Sequence, residues 1–97
     1  MIRHVVMLTW AEGTTPEQHQ AVVDGLSTMP GLIPEIRNYT IGSDAGISDG
    51  NADLVVIGEF DDVAGYQTYS AQPDHLAVIN DLIKPIVAGR SAVQFEY

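Results

Sequence analysis

The first segment of the chain, from Ile2 to Trp10, alternates between two sets of positions that are both largely apolar. Because successive side chains of a strand point to opposite faces of a sheet, this alternation predicts a β-strand covered on both faces. The segment is short, contains Arg3 and His4, and is followed by no small-residue cleavage site. It is therefore interpreted as a strand and not as a signal peptide.

A first helix is predicted after the turn at residues 12–14. The segment Thr15-Pro16-Glu17-Gln18 has the pattern of a capping box, with threonine as the N-cap and proline at the first helical position. Apolar residues then recur at helical spacing, namely Val22, Leu26 and Met29. Pro30-Gly31 is expected to end this helix.

A second helical region follows the acidic pair Asp61-Asp62, whose charges favour a helix start. Pro73 is expected to interrupt this region and to open a further helical segment at its first position. The apolar face of that segment is predicted to consist of Leu76, Ile79, Ile83 and Ile86. Pro85 should kink or end the helix near Lys84, with Gly89 as a C-cap.

Three further strands are predicted from apolar alternation, at residues 36–42, 53–60 and 91–97. Residues 43–51 are rich in Gly, Ser and Asp and indicate a loop, across which the second and third strands pair antiparallel. The resulting order β-α-β-β-α-β predicts an α+β, ferredoxin-like sandwich with an antiparallel sheet. At 97 residues, the chain is expected to be one domain.

The helices of a single chain can cover only one of the two faces of the predicted sheet. The helices cover one face, and the other is also apolar and has no cover within the chain. An apolar strip of this kind on a monomer would be a sticky patch. Packing against the sheet of a second copy is the natural solution, so the sequence predicts a homodimer.

Composition excludes several classes of function. Thirteen acidic and four basic residues give a formal charge of −9, which disfavours binding to nucleic acids and to anionic membrane surfaces. The absence of cysteine excludes disulfides and thiolate chemistry. No stretch is long enough for a membrane helix, so a cytoplasmic location is expected. Neither paired histidines at metal-ligand spacing nor a phosphate-binding loop occurs, and no metal or other cofactor is predicted.

Several short motifs, in order, resemble those of the stress-responsive A/B-barrel family, a branch of the dimeric α+β-barrel proteins. The motifs are Ile2-Arg3-His4-Val5-Val6, Pro30-Gly31-Leu32-Ile33-Pro34, Phe60 before the acidic helix start, Tyr69…Gln72-Pro73-Asp74-His75, and Leu82-Ile83-Lys84-Pro85. The similarity covers essentially the whole chain. It implies a homodimer whose two sheets close into a barrel, with a pocket in each subunit between helices and sheet.

The chain is also similar to plant polyketide cyclases of this family, and that similarity implies roles for individual residues. His75 and Tyr69 match the histidine and tyrosine that carry an intramolecular aldol condensation of a linear polyketide thioester. His4 and Glu96 match two further positions of those enzymes. Another pocket histidine of the cyclases falls at Leu54 here, so the match does not extend to that residue. Pocket positions are also expected for Val6, for Leu54 itself and for Tyr66, which otherwise fits a core residue.

The chemistry of these residues fits removal of a proton α to a carbonyl. If Pro73 opens a helix, His75 lies in its first turn, where the helix dipole would help to keep the ring neutral and able to accept a proton. A carboxylate such as Glu96 would hold its other ring nitrogen, and Tyr69 would donate a hydrogen bond to the developing enolate. Each also has an ordinary structural interpretation: a packing or capping histidine, a solvated glutamate and a core tyrosine. His4 fits a satisfied buried histidine or a pocket wall.

Three functions remain open from the sequence. The first is a cofactor-independent, small-molecule enzyme of the cyclase or isomerase type, with His75 as base. The second is a non-catalytic, stress-associated protein that binds a small apolar or aromatic metabolite. The third is a monooxygenase or haem-degrading enzyme, because related dimeric barrels include both. The fold alone does not decide among them, since one fold supports many chemistries.

Overall fold

The computed structural model describes residues 1–97 and contains one antiparallel sheet with helices packed on one of its faces. The elements are β1 (Ile2–Trp10), α1 (Pro16–Ser27), α2 (Met29–Leu32), β2 (Asn38–Ser43), β3 (Leu54–Phe60), α3 (Val63–Ala71), α4 (Pro73–Val78) and β4 (Val87–Glu96). A π-helical turn, Ile79–Ile83, continues α4. The predicted ferredoxin-like order of elements is confirmed.

The strands lie in the order β2-β3-β1-β4, and every neighbouring pair is antiparallel. β1 is central, with Val6 opposite Val56 of β3 and Ala92 of β4. Since residues opposite each other in such a pair point to the same face, the register assigns each side chain to the helix face or the outer face. The predicted pairing of the second and third strands is confirmed.

The core lies between the helix face of the sheet and the helices. Even-numbered residues of β1 are buried from Ile2 to Leu8. The predicted apolar stripe is also buried, with its first two residues on α1 and its last, Met29, on α2. Phe60, at the end of β3, is completely buried and packs edge-on against the ring of Tyr66. Burial of a side chain of this size stabilises the fold by roughly 1.5–3 kcal/mol.

The starts of α1 and α3 follow their sequence signals. Thr15 accepts a hydrogen bond from the backbone N–H of Gln18, whose side chain accepts one in return from the backbone N–H of Thr15, as predicted for a capping box. Asp62 caps α3 by accepting from the backbone N–H of Gly65 at 2.8 Å. Each cap satisfies a backbone donor that the helix itself cannot pair.

Three predictions about local structure were wrong. Pro30-Gly31 does not end the first helical region but lies inside α2, where a proline near the start costs no hydrogen bond. Gly89 is not a helix cap, because β4 begins at Val87 and pairs with β1 across a register shift near Thr9. Leu76 is exposed, and the buried residues of α4 are His75 and Val78.

The outer face of the sheet carries exposed apolar side chains. Met7, Val93 and Phe95 are 41–55% exposed, and all three project from the side opposite the helices. On the same face Arg3 lies over the Tyr97 ring, at 4.2 Å from the guanidinium carbon to the ring centroid, and pairs with Glu59. No helix of the chain has both the length and the apolar character needed to cross a membrane.

Candidate active site

A cavity of about 330 Å³ opens between the helix face of the sheet and the helices, mainly the region from α3 onwards. Its wall is mostly apolar, with two histidines, two tyrosines and two basic side chains. The lining residues are His4, Val6, Leu8, Leu26, Val56, Tyr66, Tyr69, Ser70, His75, Ile79, Ile83, Lys84, Val87 and Arg90. An apolar hollow with few polar groups is typical of a small-molecule site.

The break between α3 and α4 positions His75. Pro73 has no N–H and opens α4, while the side-chain oxygen of Gln72 accepts from the backbone N–H groups of Asp74 at 2.7 Å and His75 at 3.0 Å. In an unbroken helix, the carbonyl of Ser70 would accept from Asp74. Because Gln72 takes that donor, the Ser70 carbonyl is free and lies 3.3 Å from Nδ1 of His75.

The Ser70 carbonyl fixes the tautomer of His75. A carbonyl only accepts hydrogen bonds, so Nδ1 carries the proton and Nε2 holds the lone pair. Nε2 has no hydrogen-bond partner within the protein. Because every fully buried side-chain nitrogen and oxygen does have such a partner, Nε2 is not fully buried and solvent can reach it. Burial lowers the pKa of His75, and the Ser70 carbonyl partly offsets this effect. The ring is therefore neutral near pH 7, with an accessible basic nitrogen.

His4 has the opposite tautomer. The side-chain nitrogen of Gln94 donates to its Nδ1 at 2.9 Å, so the proton of His4 resides on Nε2. Burial, and to a lesser extent the positive charge of Arg90 and the neighbouring His75, lowers the pKa of His4 to about 4. His4 therefore offers the cavity a neutral N–H donor, and its ring packs 4.9 Å from that of Tyr66.

Tyr69 lies against the candidate base. Its ring centroid is 4.2 Å from that of His75, and its hydroxyl is 2.8 Å from the hydroxyl of Tyr39 on β2. Burial raises the pKa of both phenols, while the hydrogen bond from Tyr39 lowers that of Tyr69. With Tyr39 as the donor of this bond, the proton of Tyr69 remains available to a ligand.

The structure brings together five of the seven residues singled out from the sequence. These are His4, Val6, Tyr66, Tyr69 and His75, all of which line the cavity. Their grouping follows from two elements: β1 supplies the strand residues, and the region from α3 into α4 supplies the rest.

Two predicted site residues lie elsewhere. Glu96 is exposed at the end of β4, opposite Ile2, and the expectation that it holds the ring of His75 is wrong. Ser70 holds that ring instead, because the helix break leaves its carbonyl free. Leu54 is buried at the start of β3 and borders a different depression, of about 380 Å³, beside the loop between β2 and β3.

Sequence reasoning missed several residues of the cavity and its support. Tyr39 and Gln94 hold the hydroxyl of Tyr69 and the ring of His4, and Arg90 lies on the cavity wall. Alternation along β4 puts Gln94 and Arg90 on one side of the strand, but Arg90 lies before residue 91, where the strand was predicted to begin. No three His, Asp or Glu side chains are grouped in a way that would hold a metal ion.

Comparison with known proteins gives one family. The model of the family described as the stress responsive A/B barrel domain matches residues 2–97. A dimeric ferredoxin-like protein of unknown function from Thermobifida fusca YX is 40% identical, with a TM-score of 0.91 over 99% of this chain and 90% of that one. A search of curated proteins gives no match.

More distant solved structures share the fold. A dimeric protein of unknown function from Bacteroides fragilis NCTC 9343 is 19% identical, with a TM-score of 0.86 over 99% of this chain and 95% of that one. A hydroxynitrile lyase from Passiflora edulis is 15% identical, with a TM-score of 0.83 over 97% of this chain and 90% of that one. On the family match over nearly its whole length, the chain belongs to the stress responsive A/B barrel domain family.

Proposed function

We propose that this protein is a cofactor-independent enzyme that removes a proton α to a carbonyl group of a small, largely apolar molecule. The observation that carries the proposal is His75, which lines an apolar cavity beside Tyr69 and has an unprotonated, accessible Nε2. A base with this tautomer, facing a bound molecule, has the protonation state that general base catalysis needs.

The reaction begins when Nε2 of His75 takes a proton from the carbon next to the carbonyl. The electron pair of that C–H bond forms the enolate, and the negative charge moves to the carbonyl oxygen. The hydroxyl of Tyr69 and the Nε2–H of His4 are the donors for this oxygen. The enolate carbon then attacks a second carbonyl of the same molecule, and the imidazolium returns its proton to the new alkoxide, which completes an aldol cyclisation.

The expected size of each contribution follows from general experience with such groups. A positioned base contributes about 10²–10⁴ in rate, and one donor to a developing oxyanion about 10²–10³. Burial keeps both histidines neutral, so neither needs to lose a proton before it acts. The P. edulis protein, which shares this fold, is a hydroxynitrile lyase, so the fold can support catalysis. At 15% identity, no residue of that enzyme is assigned a matching role here.

We further propose that the protein functions as a homodimer joined through the outer face of the sheet. Exposed Val93 and Phe95 support this, as do the solved relatives that are described as dimeric. Val93→Glu is expected to shift sedimentation towards the monomer, because it places a charge in the interface. Val63→Glu is the matched control, since Val63 is similarly exposed but lies on α3. Equal sedimentation of both variants and the unaltered protein would contradict the proposal.

The catalytic proposal is tested by hydrogen–deuterium exchange at the α-carbons of β-tetralone, a small bicyclic ketone, followed by proton NMR in D₂O at neutral pD. The unaltered protein is expected to accelerate exchange. His75→Gln should lose at least roughly 100-fold of that acceleration, and Tyr69→Phe should lose a smaller part. His19→Gln is the control, because His19 bonds Trp10 and Ser43 outside the cavity and should retain full exchange.

Two results would overturn the catalytic proposal. One is exchange that persists in His75→Gln, which would place the base elsewhere. The other is the absence of acceleration while β-tetralone still shifts the NMR signals of cavity residues. That second result would favour the alternative of a non-catalytic binding protein, which the apolar lining of the cavity also fits.

A further inference from the structure

The basic residues of this acidic chain are distributed unevenly. Only four side chains of the protein are permanently cationic, against thirteen acidic ones. Arg3 and Arg37 are neutralised by ion pairs with Glu59 and Asp61. The other two cations, Lys84 and Arg90, form no ion pair and no side-chain hydrogen bond, and both line the cavity. The unpaired positive charge of the side chains is therefore concentrated at one place.

The local fold explains why the two cations line the same cavity. Lys84 follows the π-helical turn, and its backbone N–H bonds the carbonyl of Ile79 at 2.8 Å. Arg90 lies on β4 opposite Leu8, so the register places it on the helix face of the sheet. Arg90 is close enough to His4 to help keep that ring neutral. One cation thus comes from the helical wall of the cavity and the other from the sheet.

The cavity wall also contains no acidic residue, although the chain as a whole has a formal charge of −9. At longer range, the net negative charge of the protein repels anions, so the two cations do not attract anions from a distance. At short range, cations that line an apolar cavity can bind a negative group, and arginine can bind a carboxylate through two parallel hydrogen bonds.

We infer that the cavity selects an amphipathic organic anion, with a carboxylate held by Arg90 and Lys84 and an apolar or aromatic body against the inner wall. This rests on the proposed function for the same site, and it narrows the substrate to a carbonyl compound that also carries a negative group. The volume of about 330 Å³ lies at the small end of the range for ligand pockets, which fits a body of one or two rings.

The test compares binding of β-naphthoate with that of its neutral analogue, β-naphthamide, by isothermal titration calorimetry. The two molecules share a bicyclic body and differ in charge. The unaltered protein is expected to prefer the carboxylate by roughly tenfold. Added NaCl should reduce this preference, because the cations are exposed to solvent. Equal or weaker binding of β-naphthoate would overturn the inference.

Variants separate a local effect from one of net charge. Arg90→Gln should abolish most of the preference for β-naphthoate, and Lys84→Gln should reduce it, while β-naphthamide binding stays the same. Arg37→Gln removes the same charge from a surface site outside the cavity and should leave the preference intact. A loss in Arg37→Gln equal to that in Arg90→Gln would contradict the proposed site.

The two proposals fail separately. The naphthoate comparison does not depend on proton transfer, so it can succeed in His75→Gln even if the protein is not an enzyme. Conversely, exchange of neutral β-tetralone that depends on His75, together with no preference for β-naphthoate, would leave the catalytic proposal standing and remove the anion site.

Discussion

Replacement of His4 by glutamine should make the stability of the protein less sensitive to acid. His4 is 6% exposed, and its pKa falls from the ordinary value of 6.5 to about 4 in the folded state, mainly because burial disfavours the charged ring. Glutamine does not titrate, and its side-chain oxygen can still accept the hydrogen bond from Gln94. The change therefore removes the titration while it retains the contact.

The sign of the effect follows from the two pKa values. As pH falls below 6.5, the unfolded chain takes up a proton at His4 that the folded protein refuses until about pH 4. Stability is therefore fully present above pH 6.5 and is lost as pH falls towards 4. A difference of about 2.5 between the two pKa values corresponds to roughly 3 kcal/mol of the free energy of unfolding. Because the ring lines a cavity, where solvent screening reduces such effects, we expect a loss of about 2 kcal/mol.

The assay is urea unfolding followed by circular dichroism at pH 7 and pH 4.5, at one fixed chain concentration. Carboxylates also titrate in this range, so the informative quantity is the difference between the two proteins. The unaltered protein should lose about 2 kcal/mol more of its free energy of unfolding than His4→Gln between the two pH values. Equal losses would refute the reasoning that burial keeps this ring neutral.

Three further predictions concern the packing and the helix start around the cavity. Phe60→Ala should lower the free energy of unfolding by roughly 3–5 kcal/mol in urea titrations, and a loss below 1 kcal/mol would contradict its place in the core. Asp62→Ala should cost about 1 kcal/mol through loss of the α3 cap. Asp61→Ala should cost less because its partner is exposed, and the reverse order would be a contradiction. Tyr39→Phe should lower the free energy of unfolding by about 1–2 kcal/mol. The double variant with Tyr69→Phe should lose less than the sum of the two single variants, because both remove the same hydrogen bond; an additive loss would contradict that pairing.

Much of the fold was predictable because its local signals agree with its global arrangement. The capping box at Thr15, the acidic start of α3 and the proline at the head of α4 all act within a few residues of chain. The wrong predictions involve choices that depend on tertiary pairing. Gly89 continues a strand because β1 offers partners there, and no property of the glycine itself indicates this.

The candidate site was predictable only in part, for a related physical reason. His4, Tyr69 and His75 could be singled out, but their hydrogen-bond partners come from register and from backbone carbonyls. Gln94 reaches His4 because the two are opposite each other in paired strands, 90 positions apart in the chain. From the sequence, Glu96 was the expected partner of His75 because it is a carboxylate. In the structure, the partner of His75 is the main-chain oxygen of Ser70.

The interruption at Pro73 has a consequence for how relatives of this protein should be recognised. A main-chain oxygen is the same whatever side chain its residue bears, so position 70 is free to vary without changing the tautomer of His75. A proline at 73 and a capping side chain at 72 are the features that free that oxygen. A search for proteins with equivalent chemistry should therefore weigh the Gln72-Pro73 junction together with His75, and should ignore the identity of residue 70.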